Sequence, residues 1–175
     1  MILKQGYIQI YTGDGKGKTT ASLGVTLRVL GNGGKVYYAQ FIKGKKISSE
    51  FTALRIFNEN FTHKAYGKGR FIINGPDNED KELAMKGLEE CSEILNSGKY
   101  DLVVMDELNV ALKIGLVDLK NVLEAVKSKH PQTELIITGR YAKKEITELA
   151  DLVTEMKMIR HYYKKGVPAR KGIEL

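Results

Sequence analysis

Apolar and polar positions alternate in blocks along this chain. Gly6–Tyr11 is an alternating apolar stretch and predicts a strand. Ala21, Leu23, Val25, Leu27, Val29 and Leu30 then make a segment that is apolar nearly all round. This predicts a helix from Lys18 to Leu30, buried against a sheet and ended by Gly31-Asn32-Gly33-Gly34. Lys35–Ile42 is a continuous apolar run of the kind found in central parallel strands. Two strands around one helix make a right-handed βαβ unit. The pattern loosens from Lys43 to Gly75, where a short helix over Ser48–Phe57 and a strand over Phe61–Tyr66 are expected. Asn74-Gly75-Pro76-Asp77 opens a helix running to about Asn96, with Leu83, Gly87, Leu88, Cys91, Ile94 and Leu95 as its buried stripe. Tyr100–Glu107 reads as a strand ending in two carboxylates. A helical segment carries Leu119, Val122, Leu123 and Val126 on one face and breaks at Lys129-His130-Pro131. Glu134–Arg140 is a further buried strand, 145–150 a short helix, and 152–159 a last strand. Strands alternating with helices predict an α/β fold with a mostly parallel central sheet.

The chemistry sits in the first turn between strand and helix: Thr12-Gly13-Asp14-Gly15-Lys16-Gly17-Lys18-Thr19-Thr20. Strand, glycine loop, Lys-Thr and helix is the layout of a phosphate-binding loop. Glycines let the backbone turn tightly, and the helix start offers unpaired N–H groups and a positive dipole end. Lys18 supplies a cation and the Thr19 hydroxyl suits a magnesium ligand. Gly13, Asp14, Gly15, Lys16, Gly17, Lys18, Thr19 and Thr20 are therefore candidate ATP-binding residues. The usual pattern is G-x-x-x-x-G-K-[ST], and Thr12 stands where its first glycine would be. Asp106 and Glu107 end an apolar strand, where a magnesium-binding carboxylate completes such sites; one of the two could instead cap the next helix. Arg140, at another strand end, either faces phosphate or forms a structural ion pair.

Composition narrows the class. The 175 residues, 42% hydrophobic and 28% charged, suit one domain with a full core, spanning 1–175. The lone cysteine, Cys91, reads as a core residue and fits a reducing cytoplasm. No run is long and apolar enough for a membrane span, and no signal peptide precedes the first strand, so a soluble cytoplasmic protein is expected. The net charge of +7 is uneven: Lys43–Arg70 and Lys157–Leu175 are basic, and Phe71–Asn96 between them is acidic. Basic segments can mark nucleic acid, a polyanionic small ligand or a solvated surface, and without an RNA-recognition or helix-turn-helix signature the nucleic-acid reading is the weakest. His63, His130 and His161 show no metal-ligand spacing, and no Ser-His-Asp or Cys-His set can be assembled.

The set of motifs resembles one family, the P-loop ATP:corrinoid adenosyltransferases. The resemblance rests on Thr12–Ala21, Gln40–Gly44, Met105–Asn109, Ile136–Arg140, Glu148–Met156 and Lys165–Ile173, in that order and over nearly the whole chain. It implies a three-layer P-loop NTPase (RecA-like) domain. It also implies transfer of the 5′-deoxyadenosyl group of ATP to the reduced cobalt of a corrinoid, cob(I)alamin or cobinamide, with release of triphosphate. ATP would lie reversed relative to ordinary P-loop hydrolases. By the same resemblance Lys18 and Glu107 are catalytic, and Thr19 and Glu107 hold Mg2+ (or Mn2+). Phe71 aligns with an aromatic under the corrin ring, and Ile73 replaces a tryptophan found in some members; this chain has none. The alternative for Phe71 is an ordinary packing aromatic. Family members are homodimers, served by an electron-donor reductase, and some carry an N-terminal extension over the corrinoid that this chain lacks. A different P-loop ATPase or nucleotide kinase, possibly nucleic-acid linked, and a non-catalytic nucleotide-binding regulator are the competing readings.

Overall fold

The structure, a computed structural model, describes residues 2–44, 48–70, 72 and 75–174. Six parallel strands form the sheet: β1 (Ile8–Thr12), β2 (Val36–Gln40), β3 (Phe61–Ala65), β4 (Leu102–Asp106), β5 (Glu134–Thr138) and β6 (Leu152–Glu155). Their order is β3-β2-β4-β5-β1-β6, and every neighbouring pair is parallel. The expected mostly parallel sheet is thus parallel throughout. All strands end on one edge, and ligands of open α/β sheets bind beyond that edge.

Helices cover both faces, giving three layers. On one face α1 (Lys18–Gly31) and α2 (Ser49–Leu54) pack over Tyr38, Val104 and Ile136. On the other lie α3 (Asn78–Ser97), α4 (Leu108–Lys113), α5 (Leu119–Lys127) and α6 (Lys144–Thr147), over Tyr37, Val103, Leu135 and Ile137. Alternate residues of the central strands feed the two cores, so β2, β4 and β5 are buried on both sides.

α3 starts where Pro76-Asp77 predicts. Asp77 and Asp80 form a capping box, each accepting from the other's backbone N–H, and Gly98 closes the helix in the left-handed conformation. Its buried stripe is Asp80, Ala84, Gly87, Leu88, Cys91 and Leu95. Cys91 is the core residue expected, with burial pushing its thiol up.

Two elements differ from expectation. α1 does not bury its most apolar face: Lys18, Ser22, Thr26 and Leu30 are its buried residues, and Leu27 is 53% exposed. Position on the sheet decides this. The Ser22 hydroxyl donates to the Thr19 carbonyl and accepts from Tyr38 Oη at 2.7 Å, so a polar residue is satisfied in the core. The last strand stops at Glu155. Met156 leaves the ladder to brace the phosphate loop, its N–H donating to the Thr12 carbonyl and its carbonyl accepting from Gly15 N–H.

Candidate active site

The loop after β1 is set by its three glycines. Gly13 (φ 93°) and Gly17 (φ 122°) take left-handed backbone that side chains resist. The demanding position is thus Gly13, one residue past Thr12, which stays in β1; this accounts for Thr12 in place of the usual glycine. Gly15 is required by proximity, since a Cβ there would lie 2.6 Å from the Met156 carbonyl oxygen.

α1 begins at Lys18 with no side-chain cap and no acidic residue in its first turn. Its first N–H groups and its positive dipole end are therefore left for an anion. They meet a cavity of about 670 Å³ lined by Asp14 to Thr20, Leu23, Lys43, Ser49, Glu50, Glu107, Arg140, His161 and Gly172 to Glu174. Its size is that of a small-molecule site.

The structure brings almost every expected ATP-site residue to this cavity. Gly13 is not part of the lining, but its carbonyl, with that of Gly15, accepts from Lys18 Nζ at 2.7 and 2.8 Å. Lys18 is only 7% exposed, and burial draws its ammonium below the ordinary lysine value. Arg140 lines the cavity, is exposed, and makes no ion pair among the described residues. Phe71 and Ile73 lie outside the described residues.

At the end of β4 the two carboxylates divide. Asp106 is fully buried and accepts three hydrogen bonds: Thr19 Oγ1 at 2.9 Å, Thr138 Oγ1 at 2.7 Å and Gln40 Nε2 at 3.1 Å. Since Gln40 spends its amide on Asp106, its Oε1 takes the bond from His63, which carries its proton on Nε2. His63 in turn stacks on Phe51 at 3.9 Å. Glu107 is the next residue, held at φ 62° by a bond from its N–H to Thr138 Oγ1, and it turns into the cavity wall. Left-handed backbone at a non-glycine residue is strained and concentrates at functional sites. Burial first, then Asp106, raises the Glu107 carboxyl, with Lys18 and Arg140 opposing. Neither carboxylate caps α4 through its side chain.

Sequence reasoning did not single out Asp106 as the partner of Thr19, nor the cavity-lining Lys43, Glu50 and His161. It also missed the folding of 172–174 onto the loop. Only the adjacency Asp106-Glu107 signalled the first. The others arise from contacts between residues far apart in the chain.

A phosphate loop, a Lys-Thr helix start and a carboxylate pair at the end of β4, one strand removed from β1, define a P-loop nucleotide-binding protein. The comparisons carry this further. The family model for "ATP:corrinoid adenosyltransferase BtuR/CobO/CobP" matches residues 4–175, and the chain belongs to that family of transferases. It is 34% identical over 171 residues to the corrinoid adenosyltransferase of Pseudomonas aeruginosa, covering 98% of this chain and 84% of that one. The Escherichia coli K12 corrinoid adenosyltransferase is 34% identical over 172 residues, covering 98% and 86%. The Salmonella typhimurium corrinoid adenosyltransferase CobA is 33% identical over the same length and shares. Among solved structures, the flagellar accessory protein FlaH from Methanocaldococcus jannaschii matches with a TM-score of 0.60 at 12% identity, covering 87% of this chain and 72% of that one; this shows a shared fold.

Proposed function

We propose that the cavity holds ATP by its triphosphate and that a reduced corrinoid takes the adenosyl group from it. The cobalt(I) electron pair forms a Co–C5′ bond, the C5′–O bond breaks, and that pair leaves with triphosphate. The nucleophile belongs to the corrinoid, so the protein needs to position, shield and neutralise. Lys18, the N–H groups at the α1 start and Arg140 are the charges that receive the leaving triphosphate. The observation that carries this reading is the Thr19–Asp106 hydrogen bond at the foot of the phosphate cavity. The Thr19 hydroxyl spends its proton on Asp106, which leaves its lone pairs for a cation.

Oxygen donors from Thr19 and Glu107 at the cavity wall fit Mg2+, which takes few protein ligands and completes its shell with phosphate and water. Among the described residues no cluster of three His, Cys, Asp or Glu forms an all-protein metal cage. When bound, Mg2+ supplies charge neutralisation of the triphosphate. Lys18 and Glu107 are the residues on which turnover depends most. The cobalt must be reduced before it can attack, and a separate electron donor would supply those electrons. Among the described residues no helix is long and apolar enough to cross a membrane.

The test is anaerobic incubation with MgATP and reduced cobalamin or cobinamide, followed by measurement of triphosphate and of the light-sensitive alkylcobalt product. Stoichiometric formation of both is expected. ADP and phosphate formed without corrinoid would replace this reading with that of a hydrolase or kinase.

A further inference from the structure

The segment that follows β6 returns to the phosphate loop. A 3-10 turn at Tyr162–Lys165 starts the return, and Gly172, Ile173 and Glu174 end as part of the cavity wall beside Lys18 and Thr19. Glu174 Oε1 lies 2.8 Å from Lys16 Nζ, a contact between residues 158 apart. Lys16 Nζ also donates to Tyr162 Oη at 2.9 Å, and Tyr162 Oη donates to Glu174. Arg170 closes the group from the other side, with its Nη2 3.1 Å and its Nε 3.2 Å from the carboxylate and its guanidinium over the Tyr162 ring. The side chain of Glu174 is only 16% exposed. One cation of the loop is thus already engaged by an anion of the protein itself.

A carboxylate and a phosphate oxygen ask the same thing of an ammonium group, and with two of its three donors already on Glu174 and Tyr162, Lys16 can turn fully to a phosphate only by giving these contacts up. Resting on the reading of the loop as a triphosphate cradle, we propose that Glu174 is a resident competitor for Lys16. The segment 161–174 closes on the loop through this contact. It hands Lys16 to the phosphate chain when a polyphosphate enters and takes it back when triphosphate leaves. Glu174 also places a negative charge at the mouth of a cavity built for anions, which weakens the hold on triphosphate. It is a positioning residue for Lys16 and for the tail, and touches no reacting atom.

The probe is tripolyphosphate with Mg2+, without nucleotide or corrinoid, so the outcome does not depend on adenosyl transfer. Calorimetric titration should give Glu174→Gln an affinity about two- to fivefold tighter than wild type, the range of a partly exposed ion pair. Tyr162→Phe should fall between them. In wild type, tripolyphosphate should speed trypsin cleavage after Arg170 and Lys171, and in Glu174→Gln cleavage should be fast with or without it. If Glu174→Gln is misfolded by circular dichroism, Tyr162→Phe and the wild-type cleavage rates decide. Equal or weaker binding by the well-folded variants, or protection of the tail by tripolyphosphate, overturns the competitor role and leaves the cradle standing. No binding of tripolyphosphate even by wild type overturns both.

Discussion

Asp106 shows how much of the site rests on one side chain. It holds the Thr19 hydroxyl, the Thr138 hydroxyl and the Gln40 amide together, and Gln40 passes the order on to His63. Asp106→Asn keeps the volume but brings in two N–H donors. With its oxygen left to the threonines, its NH2 faces the Gln40 NH2. Gln40 must then flip, and its amide meets the protonated nitrogen of His63. A cost of about 1–3 kcal/mol in stability is expected, the usual effect of leaving buried polar groups unmatched. Loss of the Thr19 orientation should lower Mg2+-dependent turnover by about ten- to a hundredfold, as for supporting partners of metal ligands. Chemical denaturation and the corrinoid assay read the two effects. Glu107 behaves in the opposite way. Its carboxyl is raised by burial and by Asp106, so the folded chain binds that proton more tightly than the unfolded chain. The resulting stability is present below the ordinary carboxylate value and is lost as pH rises through the raised value. Glu107→Gln should therefore stabilise the ligand-free protein near neutral pH by about 1 kcal/mol while abolishing most of the activity. The gain should shrink in acid; a Tm lower than wild type at pH 7 would contradict it.

At the scale of elements, local patterns were readable and distant pairings were not. The strand–loop–helix unit, the α3 cap and stripe, and the carboxylates ending β4 each depend on neighbours within one turn or one strand. Residue order alone therefore discloses them. The buried face of α1 was hidden because it depends on Tyr38 in another strand, which satisfies Ser22. The end of β6 was hidden because Met156 is recruited by Gly15 across the chain. Arg140 could not be assigned from its strand-end position, and the fold places it on the cavity wall. Gly87 is a case where α3 itself reads as ordinary helix. A Cβ at 87 would sit 2.5 Å from the Tyr66 ring. That ring is fixed by its hydroxyl, which pairs with Tyr37 and donates to Glu90 at 2.8 Å. Gly87→Ala should gain helix propensity yet cost about 1–3 kcal/mol through overpacking between α3 and the strand end at Tyr66. A Tm higher than wild type would show that the ring moves aside freely.

The whole molecule is built so that events at one edge of the sheet are felt by both cores. β1 and β4 end at the phosphate cavity, and both contribute side chains to the cores on the two faces of the sheet. The fold holds the Lys18 ammonium buried against its own loop carbonyls, where burial works against its charge. A triphosphate gives that charge a true counterion, so binding should stabilise the entire fold. At a hundredfold excess over Kd, MgATP should add about 2.7 kcal/mol, which for a chain of this length is about 5–10 °C in Tm. Lys18→Ala should weaken binding by about a hundredfold, the lower end for loss of a preorganised charge contact. At the same concentration the ligand would then stand near Kd and contribute only about 0.4 kcal/mol. The ligand-free variant should melt no lower than wild type, because a buried cation has been removed. Tripolyphosphate should reproduce most of the wild-type shift and adenosine almost none, since the cradle is made for the phosphates. A shift with adenosine as large as that with MgATP would move the grip from the loop to the base, and Lys18→Ala would then leave it intact.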